Sequence, residues 1–202
     1  MDLKIIISSP SGTGKTTITR NLLKRFKNSK LSVSCTTREP RSGEKHGTDY
    51  FFISKKKFLE LKKKNKFLES AKVFNNYYGT LKNQLISKSK NKIIFLDIDW
   101  QGARIIRKKL KKNCHSFFLL PPSFKELKKR LIKRHKENKV SALKRISYAK
   151  KDMKHWDEYD EVFINTKIDK CTNEIEYKIN EIIKLKQKIL YIKNFIYNFK
   201  FK

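Results

Sequence analysis

Eight residues near the start of the chain, Ser9-Pro10-Ser11-Gly12-Thr13-Gly14-Lys15-Thr16, have the types and spacing to bind a phosphate chain. An anion is held well when several backbone N–H groups converge on it. That needs glycines able to adopt angles closed to other residues, and a helix N-terminus aimed at the charge. Gly12 and Gly14 supply the first. The second follows from context: the apolar run Ile5-Ile6-Ile7 precedes the loop and an amphipathic pattern (Ile18, Leu22, Leu23, Phe26) follows it, predicting strand, tight turn and helix. In such a P-loop Lys15 reaches the β- and γ-phosphates of a nucleoside triphosphate, and the Thr16 hydroxyl sits on Mg²⁺. Ser11, Gly12, Thr13, Gly14 and Thr17 complete the candidate contacts to that nucleotide. Ser9 stands where the usual pattern has glycine, and a glycine turn that binds nothing is the competing reading.

Two further groups of residues could work with this loop. The run Ile93-Ile94-Phe95-Leu96 predicts a buried strand that delivers Asp97 to the carboxyl edge of a sheet, where ligands bind in open α/β folds. A carboxylate there can hold Mg²⁺ directly or through water. Arg38 and Arg41 flank a proline, and guanidinium forks grip phosphate in a bidentate way that lysine cannot reproduce. In a chain whose basic excess is mostly lysine, two arginines three residues apart point to a second anion site. Tyr50 and Tyr78 could add hydroxyl donors to it, or could be ordinary packing. Glu69 lies in the apolar context Phe67-Leu68-Glu69-Ser70-Ala71, where a buried carboxylate needs donor partners. The N1–H and 2-amino group of guanine form a matched pair of such donors.

The elements that must position these residues alternate between strand and helix, the pattern of an α/β domain with a parallel sheet. Strands are expected at Leu3 to Ser8, Asp49 to Ser54, Phe67 to Phe74, Lys92 to Ile98, Ser116 to Leu120 and Glu161 to Asn165. Leu31 to Thr36 reads as one extended segment with Leu31, Val33 and Cys35 on a face, and Asn75 to Thr80 as a loop. Helices are expected from Thr16 to about Phe26, after an N-cap at Ser54, from Gln101 to about Lys111, and after a cap at Ser123 to about Lys136. Another runs from Ser141 through about Lys154. A last, long helix opens at Asp169 or Thr172 on Ile175, Ile179, Ile182, Ile183 and Ile189. Tyr191 to Lys202 alternates aromatic and basic residues and reads as frayed helix or tail in preference to a nucleic-acid stacking segment.

The whole chain bounds the class. Its 202 residues suffice for one core, and its apolar runs are far too short to span a membrane. A cytoplasmic protein with no membrane partner is expected, as monomer or homodimer. Cys35, Cys114 and Cys171 are odd in number and lack CxxC spacing, which indicates neither a disulfide framework nor a zinc site. The formal charge is +31, from 50 Lys and Arg against 19 Asp and Glu. The lysines are spread over nearly every predicted helix, and abundant Ile, Asn and Phe with sparse Gly, Pro and Ala match coding in an AT-rich genome. Compositional drift therefore outweighs a dedicated nucleic-acid surface as the reading of that charge.

The residues between the two phosphate sites resemble a known family. Ser32-Val33-Ser34-Cys35-Thr36-Thr37-Arg38-Glu39-Pro40-Arg41-Ser42-Gly43-Glu44, followed by His46-Gly47-Thr48-Asp49-Tyr50-Phe51-Phe52, is similar to the signature of guanylate kinases. Asn76-Tyr77-Tyr78-Gly79-Thr80 and Leu96-Asp97-Ile98-Asp99-Trp100-Gln101-Gly102 are further blocks of that family in the right order. The resemblance implies a P-loop parallel-sheet fold and Mg²⁺-dependent transfer of the γ-phosphoryl group of ATP to GMP. It implies Arg38, Arg41, Tyr50 and Tyr78 as contacts of the GMP phosphate, Ser34, Glu69 and Thr80 as contacts of guanine, and Asp99 as a second acidic residue near the nucleotides. Residues 123–154 correspond to a lid whose Arg130, Arg134 and Arg145 close over the phosphates, and Asn165 to an asparagine near adenine. The implied division is a core of residues 1–33, 89–122 and 155–190, a GMP-binding segment of 34–88, that lid, and a tail of 191–202. Family members often carry serine in place of Thr80. They also have a glycine-containing motif where this chain has Ile132-Lys133-Arg134-His135. A fold that has lost catalysis and serves as an interaction module is the alternative within the resemblance.

Overall fold

The computed structural model describes residues 2–73, 75–86, 92–134 and 139–200. Its axis is β1 (Leu3–Ser8), the run of isoleucines before the glycine loop. β1 lies in the middle of a five-stranded parallel sheet whose order is β2 (Ser29–Leu31), β7 (Ile93–Asp97), β1, β8 (Cys114–Leu120), β9 (Glu161–Ile164). A strand covered on both faces should be largely apolar, and here Leu3, Ile5, Ile6 and Ile7 are buried, with Lys4 half-buried near one end and the buried Ser8 at the edge where the loop begins. Leu3, Ile5 and Ile7 face one side, with Ile18 and Leu22 of α1 (Lys15–Arg25) and Cys171, Ile175, Ile179 and Ile182 of α6 (Ile168–Lys200). Ile6 faces the other, with Ile94, Leu96, Phe118, and Ala103 and Ile106 of α3 (Trp100–Leu110). Each fully buried Ile, Leu or Phe contributes about 1.5–3 kcal/mol of apolar burial. In register, Ile7 sits beside Asp97 on one side and Phe117 on the other, so the loop after β1 and the end of β7 share one edge of the sheet.

A second sheet of four short strands stands at that edge, in the order β4 (Phe51–Phe52), β3 (Cys35–Thr36), β6 (Asn76–Leu81), β5 (Phe67–Val73). Only β3 and β4 pair in parallel. Phe58 of α2 (Lys55–Lys63) fills its core, stacked on Phe67 and Tyr77 at ring-centroid distances of 4.5 and 5.3 Å. The expected cap is present, since the Ser54 hydroxyl accepts from the Lys57 N–H at 3.2 Å.

Two sequence expectations need correction here. Leu31 to Thr36 is not one strand: residues 29–31 belong to the first sheet and 35–36 to the second, and the chain crosses between them. The buried side chains are Ser32, Ser34, Cys35 and Thr36 rather than Leu31 and Val33. Apolar alternation misleads where the inward face carries hydroxyls. Asn75 to Thr80 is not a loop but β6, hairpinned onto β5 after a turn at Asn75, whose φ of 68° asparagine tolerates.

On the opposite side of the glycine loop, α4 (Phe124–Arg134) and α5 (Lys139–Asp152) pack through Leu127, Leu131, Ile146 and Ala149. Ser123 caps α4 by accepting from the Glu126 N–H at 3.1 Å. α6 departs from expectation at its far end, where Ile189 is 44% exposed and the helix continues to Lys200. Among the described residues no helix is long and apolar enough to cross a membrane.

Candidate active site

The loop between β1 and α1 has the backbone that an anion site requires. Gly12 and Gly14 have φ of 89° and 101°, the left-handed region where a side chain is strained. Gly14 is the N-cap residue of α1 and supplies no side chain to its first turn, so those N–H groups point into the loop. Ser9 lies outside the left-handed region, and its hydroxyl donates to the Pro10 carbonyl at 3.0 Å. Serine therefore costs the loop no backbone strain. Thr13 is buried, while Thr16 and Thr17 are exposed at the start of α1.

Lys15 crosses from this loop to the end of β7. Its ammonium group donates to the Asp97 carboxylate and, at 3.3 Å, to the Ile98 carbonyl. Asp99, two residues on, is differently employed. It caps α3, accepting from the Gly102 N–H at 2.9 Å and from the Gln101 amide at 3.2 Å. Burial pushes the Asp99 carboxyl up, against the pull of the Gly102 N–H and of Lys15. The two acids thus divide: Asp97 meets the loop lysine, and Asp99 fixes the helix that closes the pocket.

Lys15, Asp97 and Asp99 line an open cleft of about 460 Å³ together with Ser34, Tyr50, Glu69, Val73, Tyr78 and Ile98. Glu69 is 6% exposed, on β5. One of its oxygens accepts from the Thr80 hydroxyl at 2.7 Å, and the Ser34 hydroxyl lies 3.3 Å from that of Thr80. Desolvation pushes the Glu69 carboxyl up to about 7, with Asp99 adding to the rise and the Thr80 bond opposing it. Its other oxygen faces α3 at Gly102, where a Cβ would stand 2.7 Å away. Gly102 is thus a functional position that the sequence offered only as part of a motif. Its signal is a glycine in a helix's first turn, a place where most residues serve the helix better.

The arginine pair is organised by an acid that sequence reasoning also passed over. One Arg38 nitrogen donates to both Glu44 oxygens, at 3.0 and 2.8 Å, and the Arg41 N–H donates to the same carboxylate at 2.9 Å. The Arg41 guanidinium is 4.0 Å from it. Glu44 therefore orients both arginines toward one point. A carboxylate three residues after Arg41 in a chain poor in acids was the available clue. The Arg38 guanidinium lies 5.6 Å from the Tyr50 ring centre, and Tyr50 meets Tyr78 edge-on at 6.0 Å. Burial pushes the Tyr50 hydroxyl above the ordinary phenol range, so it stays protonated and can donate.

The profile of the family described as guanylate kinase matches residues 2–182 of this chain. The chain belongs to the guanylate kinase family. It is 44% identical over 187 residues to the guanylate kinase of Wolbachia pipientis wMel, covering 91% of this chain and 93% of that one. It is 48% identical over 173 residues to that of Buchnera aphidicola subsp. Schizaphis graminum, covering 84% and 83%. The crystal structure of guanylate kinase from Anaplasma phagocytophilum superposes with a TM-score of 0.75 at 32% identity, covering 89% of this chain and 85% of that one. As a member of the guanylate kinase family the chain is an enzyme, a nucleoside monophosphate kinase, and the α/β P-loop fold expected from its sequence is the one it has.

Of the remaining expected site residues of this kinase, Arg145 and Asn165 reach the loop. Arg145 of α5 donates to the Ser11 hydroxyl at 3.3 Å. Arg130 of α4 donates to Glu126 at 3.0 Å, one turn back on its own helix. Arg134 ends α4, its side chain lying outside the described residues together with His135. Asn165 is 1% exposed and donates its amide to the Thr13 carbonyl at 2.6 Å, bracing the P-loop from the end of β9. A third acid, unforeseen from sequence, stands where α5 ends. Asp152 accepts from the Trp100 indole at 3.1 Å, and burial pushes its carboxyl up to about 6, with Trp100 opposing and Asp99 adding to the rise.

Proposed function

We propose that this kinase transfers the γ-phosphoryl group of ATP to GMP, giving ADP and GDP. The reading rests on Glu69: a carboxylate almost wholly buried, with one oxygen engaged by Thr80, in the same cleft as Lys15 and Asp97. Guanine brings two adjacent donors to that carboxylate, which adenine and uracil do not match. Ser34 and Thr80 bound the base, and Arg38, Arg41, Tyr50 and Tyr78 receive the GMP phosphate at the point toward which Glu44 directs the arginines. Residues 34–88 form the GMP-binding segment and residues 123–154 a lid over the donor, which brings Arg130, Arg134 and Arg145 over its phosphates. The catalytic set is Lys15, Arg38, Arg134 and Arg145. A GMP phosphate oxygen attacks the γ-phosphorus, the bond to the β–γ bridging oxygen breaks, and ADP leaves. Little covalent work falls to the protein, so positioned cations carry most of the rate.

Mg²⁺ fits the donor set. Thr16 presents an exposed hydroxyl at the start of α1 and Asp97 a half-buried carboxylate at the adjoining strand end. Mg²⁺ prefers oxygen donors and keeps much of its shell as water and phosphate, so two protein oxygens suffice. When bound it would neutralise charge on the donor phosphates. Asp99, held by its capping bonds, acts by fixing α3 behind Glu69.

The test is coupled measurement of ADP formation with GMP, AMP, dGMP and UMP as acceptors. Turnover with GMP far above AMP and UMP is expected, falling about 10²-fold or more in Lys15→Ala. Absence of GMP-dependent turnover in the pure protein overturns the reading and returns the interaction-module alternative.

A further inference from the structure

The kinase core uses α6 as far as Ile182, where Ile175, Ile179 and Ile182 are buried against the sheet. The helix then continues through Lys200, past the segment that matches the family. Those eighteen residues extend it by about 27 Å. Along them Leu185, Ile189, Ile192 and Ile196 are 59%, 44%, 42% and 47% exposed. Their spacing places them within about 60° of arc, one apolar stripe along the extension. Lys184, Lys188 and Phe195 fall on one margin of that stripe, Lys186, Lys193 and Tyr197 on the other, and Gln187 and Asn194 opposite, while the exposed Leu190 and Tyr191 stand off the stripe. Residues 183–202 contain six lysines and no Asp or Glu.

The margins decide what covers the stripe. In a pair of helices the residues flanking an apolar seam face their counterparts across it. Two copies of this chain would bring the lysines of these margins together in either orientation, with no acidic residue to offset them. An anionic surface instead satisfies both margins at once, while apolar side chains enter below the headgroups and lysine stems lie along the boundary. We propose that the exposed stripe of α6 seats the kinase on a bilayer surface rich in anionic lipid, the helix lying in the plane of the interface without crossing it. This departs from the expectation that a membrane is no partner, and it stands independently of the reaction assigned to the cleft.

The full chain is to be sedimented with phosphatidylcholine vesicles with and without phosphatidylglycerol, at low and at physiological salt. Binding is expected only with phosphatidylglycerol, weakened but retained at physiological salt because the stripe is inserted. The double variant Ile189→Asp with Ile192→Asp should lower the partition constant at least about tenfold, leaving turnover and unfolding midpoint unchanged. The triple variant Lys184→Gln, Lys188→Gln, Lys193→Gln should remove most of the preference for phosphatidylglycerol. Failure to bind anionic vesicles overturns the proposal. So does equal binding by the aspartate variant, which would mean that net charge alone is responsible. A dimer by analytical ultracentrifugation that the aspartate variant dissolves without changing vesicle binding also overturns it, assigning the stripe to a second copy.

Discussion

Glu69 is held at the expense of stability, and the sign of its pH dependence follows. Its carboxyl titrates near 7 in the folded chain, above the ordinary 4.5, chiefly through desolvation. Between those values the folded state binds the proton more tightly than the unfolded state. Its contribution to stability is therefore full below about pH 4.5 and is lost as pH rises to about 7, a loss of about 3 kcal/mol. Glu69→Gln does not ionise. It should match the parent in urea unfolding near pH 5 and exceed it by up to about 3 kcal/mol at pH 8, while kcat/KM for GMP falls by the equivalent of about 2–3 kcal/mol. A variant less stable than the parent at pH 8 would show that the carboxylate is better compensated than its surroundings suggest. Gly102→Ala tests the same carboxylate from across the cleft. The added methyl would stand 2.7 Å from Glu69 and must displace it. Because alanine suits a helix better than glycine by about 1 kcal/mol, the fold should survive. Steady-state kinetics should show KM for GMP raised about tenfold with KM for ATP little changed.

At the scale of elements, the P-loop is a joint between three of them. β1 delivers it, α1 receives it, and the end of β9 braces it through Asn165 on the Thr13 carbonyl. Asn165→Ala leaves that buried carbonyl without its donor, a cost of about 1–3 kcal/mol. Thermal unfolding should record the loss, and KM for ATP should rise more than KM for GMP. From the other side α4 rests on the loop. A Cβ on Gly12 would lie 2.9 Å from Leu131 and 3.2 Å from Leu127, at a φ that already disfavours side chains. Gly12→Ala should therefore push α4 off the loop, lowering kcat and the unfolding midpoint together. A Leu131→Ala change that costs markedly less stability in the Gly12→Ala background than in the parent would identify the contact as part of the cause.

The whole molecule carries +31 charges, and ion pairs such as Arg25 with Glu176 and Lys178 with Glu161 engage only some of them. Self-repulsion disfavours the compact state and salt screens it within about 10 Å at 0.1 M. The midpoint of thermal unfolding should rise between 10 and 500 mM NaCl by the equivalent of at least about 1 kcal/mol, or about 2–4 °C at this size. A fall would mean that paired charges outweigh unpaired ones. The same excess gives α6 its lysine margins, so a composition set by coding bias and a surface with a use are not exclusive.

The sequence by itself determined the parts that depend on local chemistry. The P-loop is legible because glycines at fixed offsets between an isoleucine strand and an amphipathic helix leave one backbone solution, and Asp97 because four apolar residues must run to the edge of a covered sheet. Ser54 and Ser123 were readable as caps for the same local reason. What only the tertiary structure decided involves groups far apart in the chain. Ser34 turns inward against the apolar alternation because its hydroxyl lines the cleft, and Thr36 because its hydroxyl accepts from the Arg38 N–H. Asn76 to Leu81 becomes a strand because β5 is there to pair with it. Gly102 matters because α3 passes within contact of a carboxylate thirty-three residues earlier, and Glu44 because it gathers two arginines whose own positions it fixes. Local patterns record what a segment needs from its own backbone, whereas a site is made of distances between segments, and those exist only once the sheets have met.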